Sequence, residues 1–532
     1  MKYQVVSANE WLYPDSKVLP EGSRQISLWA ARGTRAACQV LFQGIAPDTP
    51  ISCKYKPDAK SSKTPWQRPE IYQLVDVAVA KNTGPVGFVV KEGESAAGYT
   101  TRAAPFRVYD AMKPLASDSL THGDTEALFL SWRLPVDAAP GRYTGQLVFE
   151  LGDDTCTIPV LLEVFPATVP ADGTLAITNW FSLENMAGSH GLKMWSDAHW
   201  AMIRRYGEMM RRGRQSNFWV PLNLVDIQKQ DAGKYSFDFA RAERLIRLFF
   251  DLGFTCLEGG HVGTRIHFRD PDFVLRADRN IKATSPQGYA FLAEYLPAWR
   301  TFLERNNWLD KTIQYVADEP IENSAADYRV LAGIVRKFLP GVPLIDAVEV
   351  SHLGGAVDIW VPKNSYYQEH QEEFEAHRRF GDTLWFYTCC FPGGHYMNRL
   401  LDMPLIRTRF LHWGNYLYNL VGYLHWGFNH YKRGQDPFEG TSPAHGTGGT
   451  TNLPPGDTHI VYPGPEGPWG SMRLEAMAAG IEDYELLRLV EAKDKELAES
   501  IVRSCLRSFN DADEDPVRFS ATHRRLLEAA SG

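Results

Sequence analysis

The feature that most constrains the fold is an alternation of strands and helices that begins after residue 174. Short apolar runs of strand length recur eight times, and amphipathic segments of helical length separate most of them. The runs are 175–181, 218–222, 256–259, 312–317, 343–347, 357–361, 383–388 and 421–426. Eight such units predict a (β/α)8 barrel. A doubly wound open sheet is the alternative, but the sequence carries no GxGxxG motif or P-loop to support a nucleotide site.

Signals at the helix ends support these boundaries. Ala242, Leu245 and Phe249 share one face of a predicted helix, and Gly253 follows where that helix should stop. Another predicted helix opens at Ser285, whose hydroxyl can cap it, and the proline that follows suits the first turn. The helix boundaries therefore agree with the alternation.

The first third of the chain has a different pattern. Alternating or β-branched runs, such as 39–42, 72–77 and 146–150, are separated by Gly, Pro and Asp turns. We interpret residues 1–168 as a β-sandwich that precedes the barrel. The barrel is predicted over 174–490, and 491–532 is predicted to be a helical tail packed on it. A chain of 532 residues is long enough for several domains.

Composition narrows the functional classes. The formal net charge is −8, so no overall positive field draws the chain to nucleic acid or to an anionic membrane. Five arginines between 204 and 214 form one basic cluster, which we interpret as a solvated helix face. The first residues lack the apolar stretch of a signal peptide, so we expect a cytoplasmic protein unless a leader was removed. Seven cysteines without metal-ligand spacing predict no metal or other cofactor; homo-oligomer formation stays open.

The strongest candidate for chemistry is a pair of neighbouring acidic residues, Asp318 and Glu319. Active-site groups in barrels of this type lie at the C-terminal ends of the strands, and the pair ends the fourth run just before Pro320. Burying two like charges together raises the pKa of one, which then keeps its proton near neutral pH. A protonated acid beside an ionised partner is what cleavage of a glycosidic bond requires. The alternative is that the pair begins a loop and caps the next helix.

Polar and aromatic residues also end the other predicted strands, where a sugar pocket would form. The candidates for substrate contact are Asn179, Trp180, Glu258, His261, Tyr387, Trp426 and Asn429. Each has a plainer alternative; Glu258, for example, could pair with Arg265, and His261 could be an ordinary loop histidine. Asp346, which ends the fifth run, is a reserve candidate for a second catalytic carboxylate.

Five segments occur in an order that matches a known family. They are YVADEP at 315–320, LWFYTCC at 384–390, LHWGFN at 424–429, DTHIVYPG at 457–464 and SMRLEAMAAGIEDYELL at 471–487. Together they resemble the glycoside hydrolase family 123 β-N-acetylgalactosaminidases and their relatives that share the DUF4091 domain. The resemblance covers most of the chain, because those proteins also carry a β-sandwich before the barrel.

The resemblance implies a retaining exo-β-N-acetylgalactosaminidase that acts on a glycan or glycoconjugate. Its mechanism would be substrate-assisted, with the sugar's own 2-acetamido oxygen attacking the anomeric carbon to form an oxazolinium. By position, Asp318 would orient the acetamido N–H, and Glu319 would protonate the leaving oxygen and then activate water. Tyr387 would hydrogen-bond to the acetamido carbonyl.

The resemblance also implies how the pocket is lined. Trp413 or Trp426 would form a wall, and Asn429 and the Gly- and Pro-rich loop 433–456 would lie near the sugar hydroxyls. Two segments depart from the family pattern. The usual Arg-Asp is Ala-Ala at 478–479, and the usual Gly-Asp-Gly is Gly-Asp-Thr at 456–458. These departures indicate a divergent branch of the family. They bear on which sugar the protein accepts more than on the reaction that it catalyses.

Two other functions stay open. A glycosidase of the same fold that cleaves a β-N-acetylglucosaminide or a neutral hexoside is the first. For a neutral hexoside, Glu258 or Asp346 would serve as a second carboxylate, and a separation of about 5–5.5 Å from the acid would suit a covalent retaining enzyme. A non-catalytic carbohydrate-binding protein, with the sandwich as its binding surface, is the second.

Overall fold

In the described part of residues 1–168, the N-terminal region contains nine strands. The structure is a computed structural model, and it describes residues 1–58, 65–230, 234–445 and 451–532. The strands are β1 Lys2–Ser7, β2 Ile26–Arg32, β3 Arg35–Gln43, β4 Ile51–Pro57, β5 Glu70–Val79, β6 Phe106–Pro114, β7 Thr125–Arg133, β8 Gly141–Leu151 and β9 Asp154–Thr168. They pair as two sheets, with strand orders β1-β3-β7-β5-β6 and β2-β9-β8-β4.

The larger N-terminal sheet is buried on both faces because its strands alternate two sets of apolar side chains. Val40 of β3 and Leu128 of β7 lie in the core shared with the smaller sheet. Their neighbours Leu41 and Phe129 point the other way and pack in a second core with Met472, from the C-terminal half of the chain. The larger sheet therefore joins the N-terminal region to the rest of the molecule.

The remaining strands are shorter, and many of them alternate with helices. They are β10 Ala176–Asn179, β11 Asn217–Val220, β12 Asp226–Lys229, β13 Tyr235–Asp238, β14 Cys256–Gly259, β15 Gly263–Thr264, β16 Val274–Leu275, β17 Thr312–Tyr315, β18 Leu344–Val348, β19 Ile359–Pro362, β20 Thr383–Leu384, β21 Phe386–Tyr387, β22 Gly422–His425, β23 Tyr462–Pro463, β24 Pro468–Ser471, β25 Leu506–Ser508 and β26 Asp511–Ala512.

The helices lie mainly between the parallel strands and at the C-terminus. They are α1 Leu183–Gly188, α2 Asp197–Arg212, α3 Ala240–Asp251, α4 Pro286–Arg305, α5 Ala325–Phe338, α6 Asn364–Glu369, α7 Gln371–Arg379, α8 Ile406–Leu417, α9 Met472–Glu491, α10 Lys495–Cys505 and α11 Pro516–Ser531. Within the described ranges, none of them combines the length and the apolar character needed to cross a bilayer.

Each of the eight predicted strand positions is confirmed, and all of these strands pair in parallel. One sheet has the order β11-β14-β17-β18-β19-β20, and a second has the order β10-β22-β21. Over the part of the chain that the structure describes, no ladder joins β10 to β11, and Trp385 interrupts the seventh strand between β20 and β21. The strands therefore form two parallel sheets, and the single closed sheet of the predicted barrel is not found.

The predicted helix signals act as expected. The Ser285 hydroxyl accepts a hydrogen bond from the backbone N–H of Gly288 at 3.1 Å and caps α4. Gly253 has φ of 89°, which a side chain would strain. This turn lets the N–H of Phe254 reach the carbonyl of Phe249 at 3.1 Å and ends α3.

Residues from the C-terminal half complete the N-terminal region. Strand β24 pairs with β6, placing Ser471 opposite Ala111, so the sheet is not confined to the predicted 1–168. Helix α11 packs on α9 and also reaches the smaller sheet, where the Ser531 hydroxyl accepts from the N–H of Ala167 at 3.2 Å. The predicted tail therefore contacts both parts of the molecule.

The arginine cluster is only partly the solvated helix face that the sequence predicted. Arg204 and Arg205 are exposed, but the C-terminal end of α2 enters a buried ionic network. There Glu475 of α9 pairs with Arg212 at 2.6 Å and with Arg35 at 2.9 Å. Glu482, two turns further along the same face of α9, pairs with Arg35 at 2.9 Å and with Arg214 at 3.0 Å. We name these five residues, Arg35, Arg212, Arg214, Glu475 and Glu482, the junction network.

Candidate active site

The turn after β17 brings Asp318 and Glu319 to the C-terminal edge of the parallel sheets. Glu319 has φ of 48°, in the left-handed region that non-glycine residues seldom adopt. At such a break in the strand, neighbouring side chains no longer point to opposite faces. Asp318 is exposed and Glu319 is half-buried. Backbone strain of this kind is concentrated at functional sites, which agrees with the role predicted for the pair.

Glu319 has the environment of a titrating acid. Its Oε1 lies 2.5 Å from the hydroxyl oxygen of Tyr387, at the end of β21. Burial raises the pKa of Glu319 to about 7, and the charges of Asp318 and Glu349 add to this shift. The Tyr387 hydrogen bond and the Lys363 ammonium oppose it. Glu319 therefore exchanges its proton near neutral pH, the condition for a general acid that later acts as a base.

Arg265 anchors the turn through its backbone. Its guanidinium donates to the carbonyl oxygens of Asp318, at 2.9 Å, and of Glu319, at 2.6 Å. The same group lies 4.6 Å from the ring centroid of Phe268. Because these bonds go to the backbone, Arg265 fixes the strained turn while the Asp318 carboxylate stays exposed. The alternative pairing of Arg265 with Glu258 is not observed.

Two charged residues that the sequence analysis did not single out complete the cluster. Glu349 follows β18 directly, and its Oε1 lies 3.0 Å from the Tyr387 hydroxyl. Lys363 follows β19 directly, and its ammonium forms an ion pair with the same Glu349 oxygen. Both are the first charged residues after a predicted strand. The strand-end rule that found Asp318 and Glu319 could therefore have found them.

Aromatic rings form a wall from the ends of neighbouring strands. Trp180 stacks on Trp219 with ring centroids 5.5 Å apart. The His261 ring lies 5.3 Å from Trp180 and 4.7 Å from Tyr315. The structure thus brings together the predicted Trp180 and His261 and adds Trp219 and Tyr315. Trp180, His261 and Tyr315 are buried, and Trp219 is half-buried, so Trp219 exposes the most surface in this wall.

Glu258 does not reach the surface beside Asp318 and Glu319. It is fully buried, and its carboxylate accepts hydrogen bonds from Thr178 at 3.0 Å and from Tyr315 at 3.4 Å. Burial raises the pKa of Glu258 to about 7, against the effect of these bonds. The predicted substrate contact is therefore corrected: Glu258 lies behind the aromatic wall, where a sugar would have to displace Tyr315 to touch it.

Asp346 is a structural carboxylate as well. It is fully buried and accepts from the backbone N–H groups of Val316 and Ala317, each at 3.1 Å, and from the Tyr328 hydroxyl at 2.5 Å. Its second oxygen lies 3.4 Å from His261 Nε2. Asp346 therefore holds the chain just before the Asp318–Glu319 turn. Because it is buried, Asp346 is not placed to act as a second catalytic carboxylate, the role for which the sequence made it a reserve candidate.

The two predicted asparagines are occupied by structural contacts. The Asn429 side chain accepts from the N–H of Ser182 at 2.8 Å and donates to the carbonyl of the same residue at 3.0 Å. Asn179 is buried, accepts from Arg399 at 2.7 Å and donates to Gln215 at 3.2 Å. Both side chains are fully buried, Asn179 at 1% and Asn429 at 0% exposed, so a sugar hydroxyl does not reach them and both predicted contacts are corrected.

The two predicted tryptophans, Trp426 and Trp413, lie in different environments. Trp426 is half-buried, donates to Asp457 at 3.3 Å and has the Lys432 ammonium 5.6 Å from its ring, so it can line a cleft. Trp413 lies on α8, fully buried, and donates to Asp483 of α9 at 2.8 Å. Trp413 belongs to the helix packing, and its prediction as a pocket wall is wrong.

The loop 433–456 is described only in part, since 446–450 lie outside the described residues. Its remaining parts bond to the N-terminal region. The N–H of Ala78 donates to Phe438 at 2.8 Å, and the N–H of Val89 donates to Asn452 at 3.2 Å. Among the residues that the structure describes, no group of three or more His, Cys, Asp or Glu side chains is placed to hold a metal ion.

A carboxyl with a raised pKa, an exposed neighbouring carboxylate and aromatic rings at the C-terminal edge of parallel strands are features expected of a glycoside hydrolase. A family model described as "Glycoside hydrolase 123, catalytic domain" matches residues 180–490 of this chain. The protein therefore belongs to glycoside hydrolase family 123, which confirms the resemblance of the five sequence segments. No curated protein sequence matches the chain.

Among solved structures, a family 123 glycoside hydrolase from Clostridium perfringens shares the fold, with a TM-score of 0.77 and 13% identity over 99% of this chain and 97% of that one. A β-D-glucuronidase from Dictyoglomus thermophilum gives a TM-score of 0.36 at 10% identity, over 91% of this chain and 97% of that one. A GH10 xylanase with a bacterial Ig-like domain, from termite gut, gives 0.35 at 10% identity, over 68% and 90%. The last two likenesses are too remote to carry an argument.

Proposed function

We propose that the protein is a retaining exo-β-N-acetylgalactosaminidase that uses the substrate's own acetamido group as nucleophile. The observation that carries this proposal is the strained turn at Glu319, which sets a carboxyl with a pKa of about 7 beside the exposed carboxylate of Asp318. A substrate-assisted glycosidase needs these two groups: one to transfer a proton and one to orient the acetamido N–H.

The roles proposed for Asp318, Glu319 and Tyr387 are those that the family resemblance implies. Glu319 gives its proton to the leaving oxygen as the acetamido oxygen attacks the anomeric carbon, which yields an oxazolinium held by Asp318. The Glu319 carboxylate then takes a proton from water, and the water oxygen attacks the anomeric carbon. This attack opens the oxazolinium ring and regenerates the acetamido group, with net retention at the anomeric carbon. Tyr387 would turn its hydroxyl from the carboxylates toward the acetamido carbonyl. Trp180 and Trp426 would contact the sugar faces.

The fold supports this arrangement if the two parallel sheets are arcs of one (β/α)8 barrel. Individual backbone hydrogen bonds connect neighbouring strands where the ladders between the two sheets are interrupted. The N–H of Ser216, which precedes β11, donates to Ile177 of β10 at 3.1 Å. The N–H of Trp385, between β20 and β21, donates to Trp360 of β19 at 2.9 Å. A closed barrel would place every strand end around one cleft.

The natural substrate we propose is the glycan of a glycolipid with a terminal β-linked N-acetylgalactosamine. The structural relative from Clostridium perfringens was studied for glycolipid glycan hydrolysis and covers nearly the whole of this chain. Glu319, the proposed acid, is partly exposed to solvent, which suits a leaving group that extends into solvent, as a glycolipid chain would.

A second candidate is a covalent retaining enzyme for a neutral hexoside, and Glu349 is the observation that favours it. One phenol contacts an oxygen of both Glu319 and Glu349, at 2.5 and 3.0 Å, so these two oxygens are no more than about 5.5 Å apart, the upper end of the separation in a retaining pair. The ion pair with Lys363 argues against this role, because it occupies the oxygen that faces the cluster and weakens its nucleophilicity.

The experiment is hydrolysis of p-nitrophenyl β-N-acetylgalactosaminide, β-N-acetylglucosaminide and β-galactoside by wild type, Asp318→Asn and Glu319→Gln. Glu322→Gln serves as a matched control, since it removes an exposed carboxylate from the same loop. We expect turnover of the β-N-acetylgalactosaminide, lost in both site variants and kept in the control. Turnover of the β-galactoside would show that no acetamido group is needed. It would favour the second candidate, a covalent retaining enzyme with Glu349 as the nucleophile.

A further inference from the structure

The hydroxyl of Tyr387 lies between two carboxyl groups, and this geometry constrains where the protons are. Its oxygen is 2.5 Å from Glu319 Oε1 and 3.0 Å from Glu349 Oε1. A phenol has one proton to donate, and an ionised carboxylate can only accept. Both short contacts can therefore be hydrogen bonds only if one carboxyl carries a proton and donates it to the phenol oxygen.

Lys363 decides which carboxyl that is. Its ammonium forms an ion pair with Glu349, and the two side chains are only 15% and 20% exposed, so water screens the pair weakly. The pair holds Glu349 as an anion, which then accepts the Tyr387 proton. Glu319 lacks such an ion pair and faces two other acidic groups, so it is the carboxyl that keeps a proton.

We propose that Glu349 and Lys363 are positioning residues for Glu319. Through Tyr387, the Glu349 charge keeps a proton on Glu319 before substrate binds, and the Lys363 ion pair determines that this proton lies on Glu319 and not on Glu349. Glu349 contributes a fixed negative charge, and Lys363 fixes that charge in place. This inference rests on the proposed role of Glu319 as general acid. The titratable and charged groups that face Glu319 from the surrounding elements are Asp318, Glu349, Lys363, Tyr387, Cys390 and Arg265.

The two positioning residues should have opposite effects. Glu349→Gln keeps the shape of the side chain but removes a negative charge near Glu319, so Glu319 releases its proton at lower pH. Lys363→Met removes a positive charge, so the group of carboxyls holds its shared proton to higher pH. Charges at this distance shift a titration by about one pH unit or more. Lys363→Arg keeps the charge and should restore the wild-type profile, which a loss of packing would not.

The test measures proton occupancy in two ways. One is the alkaline limb of the pH profile of kcat/KM with p-nitrophenyl β-N-acetylgalactosaminide. The other, which needs no turnover, is the infrared band of a protonated carboxyl, assigned to Glu319 by its loss in Glu319→Gln. We expect both midpoints to move down in Glu349→Gln and up in Lys363→Met.

The outcomes separate this inference from the proposed function. If wild type hydrolyses none of the glycosides but the infrared midpoints move in opposite directions, the proton placement stands and the substrate proposal fails. If wild type is active and neither midpoint moves, or both move the same way, the inference is overturned. It is also overturned if azide restores turnover to Glu349→Ala with formation of a glycosyl azide, because Glu349 would then be a nucleophile.

Discussion

Substitution of Glu475 by glutamine tests whether the junction network stabilises the chain. Glu475 is 5% exposed at its side chain and contacts Arg35 and Arg212. Burial alone would raise the pKa of Glu475, but the guanidiniums of Arg212 and Arg35 outweigh burial and lower it to about 2, from an ordinary value of 4.5. That difference corresponds to about 3 kcal/mol of stabilisation, which agrees with about 3–5 kcal/mol for breaking a buried ion pair from one side.

The pH dependence has a defined sign. A carboxyl whose pKa is lowered by folding stabilises the folded state fully above its unfolded pKa, and this contribution is lost as the pH falls through the folded value. Wild type should therefore be about 3 kcal/mol more stable than Glu475→Gln at pH 7. The difference should shrink as the pH falls from about 4.5 toward about 2.

The assay is urea unfolding followed by tryptophan fluorescence, with Glu304→Gln as control. Glu304 pairs with Arg300 on the surface of α4, and such a pair contributes less than about 1 kcal/mol. If Glu475→Gln matches the control at pH 7, the network does not stabilise the chain. If its deficit does not depend on pH, the stabilisation does not come from the lowered pKa of Glu475. Either result refutes the reasoning above.

Three further substitutions test the corrected site residues. Asn429→Ala leaves the backbone groups of Ser182 unpaired and should cost about 1–3 kcal/mol in urea unfolding while KM stays unchanged. Trp413→Phe removes the hydrogen bond to Asp483 and should lower the melting temperature, with kcat/KM at 25 °C unaffected; a raised KM would place Trp413 in the pocket after all. Glu258→Gln mimics the buried, protonated acid, so it should match wild type near pH 4.5 and exceed its stability at pH 8 by up to about 3 kcal/mol; equal stability at pH 8 would show that folding does not raise the pKa of Glu258.

The elements of this fold were predictable because their signals are local. A run of apolar residues, a cap such as Ser285 or a stop such as Gly253 acts within a few positions of the chain. The contacts that join the two regions were not predictable. Strand β24 pairs with β6 from more than 350 positions away, as shown by Ser471 opposite Ala111. Neither segment carries a local sequence signal that identifies its partner strand.

Part of the site was predictable for the same reason. Asp318, Glu319 and Tyr387 were found because each ends a strand, and that rule depends only on position. The rule fails where the protein uses a polar group at a strand end for its own structure. Asn429 satisfies a backbone segment, and Glu258 is buried behind an aromatic ring, and only the three-dimensional contacts distinguish these roles from substrate binding.

The signature near 471–487 has a physical reason that the sequence alone did not give. Glu482 pairs with Arg35 and Arg214, and Asp483 pairs with Arg409 at 2.6 Å. These acidic residues of α9 are buried and hold neighbouring elements together, so the most recognisable segment of the chain is structural. The catalytic residues that we propose lie about 160 positions earlier, at the turn after β17.

The most direct test of the central claim is the rate of hydrolysis of p-nitrophenyl β-N-acetylgalactosaminide when the acetyl methyl group carries no, one, two or three fluorines. Fluorine draws electrons from the acetamido oxygen and weakens it as a nucleophile without changing the leaving group. We predict that kcat/KM falls steeply with each fluorine, because that oxygen attacks the anomeric carbon. A rate that does not depend on fluorine number would contradict the claim and show that the nucleophile is supplied by the protein or by water.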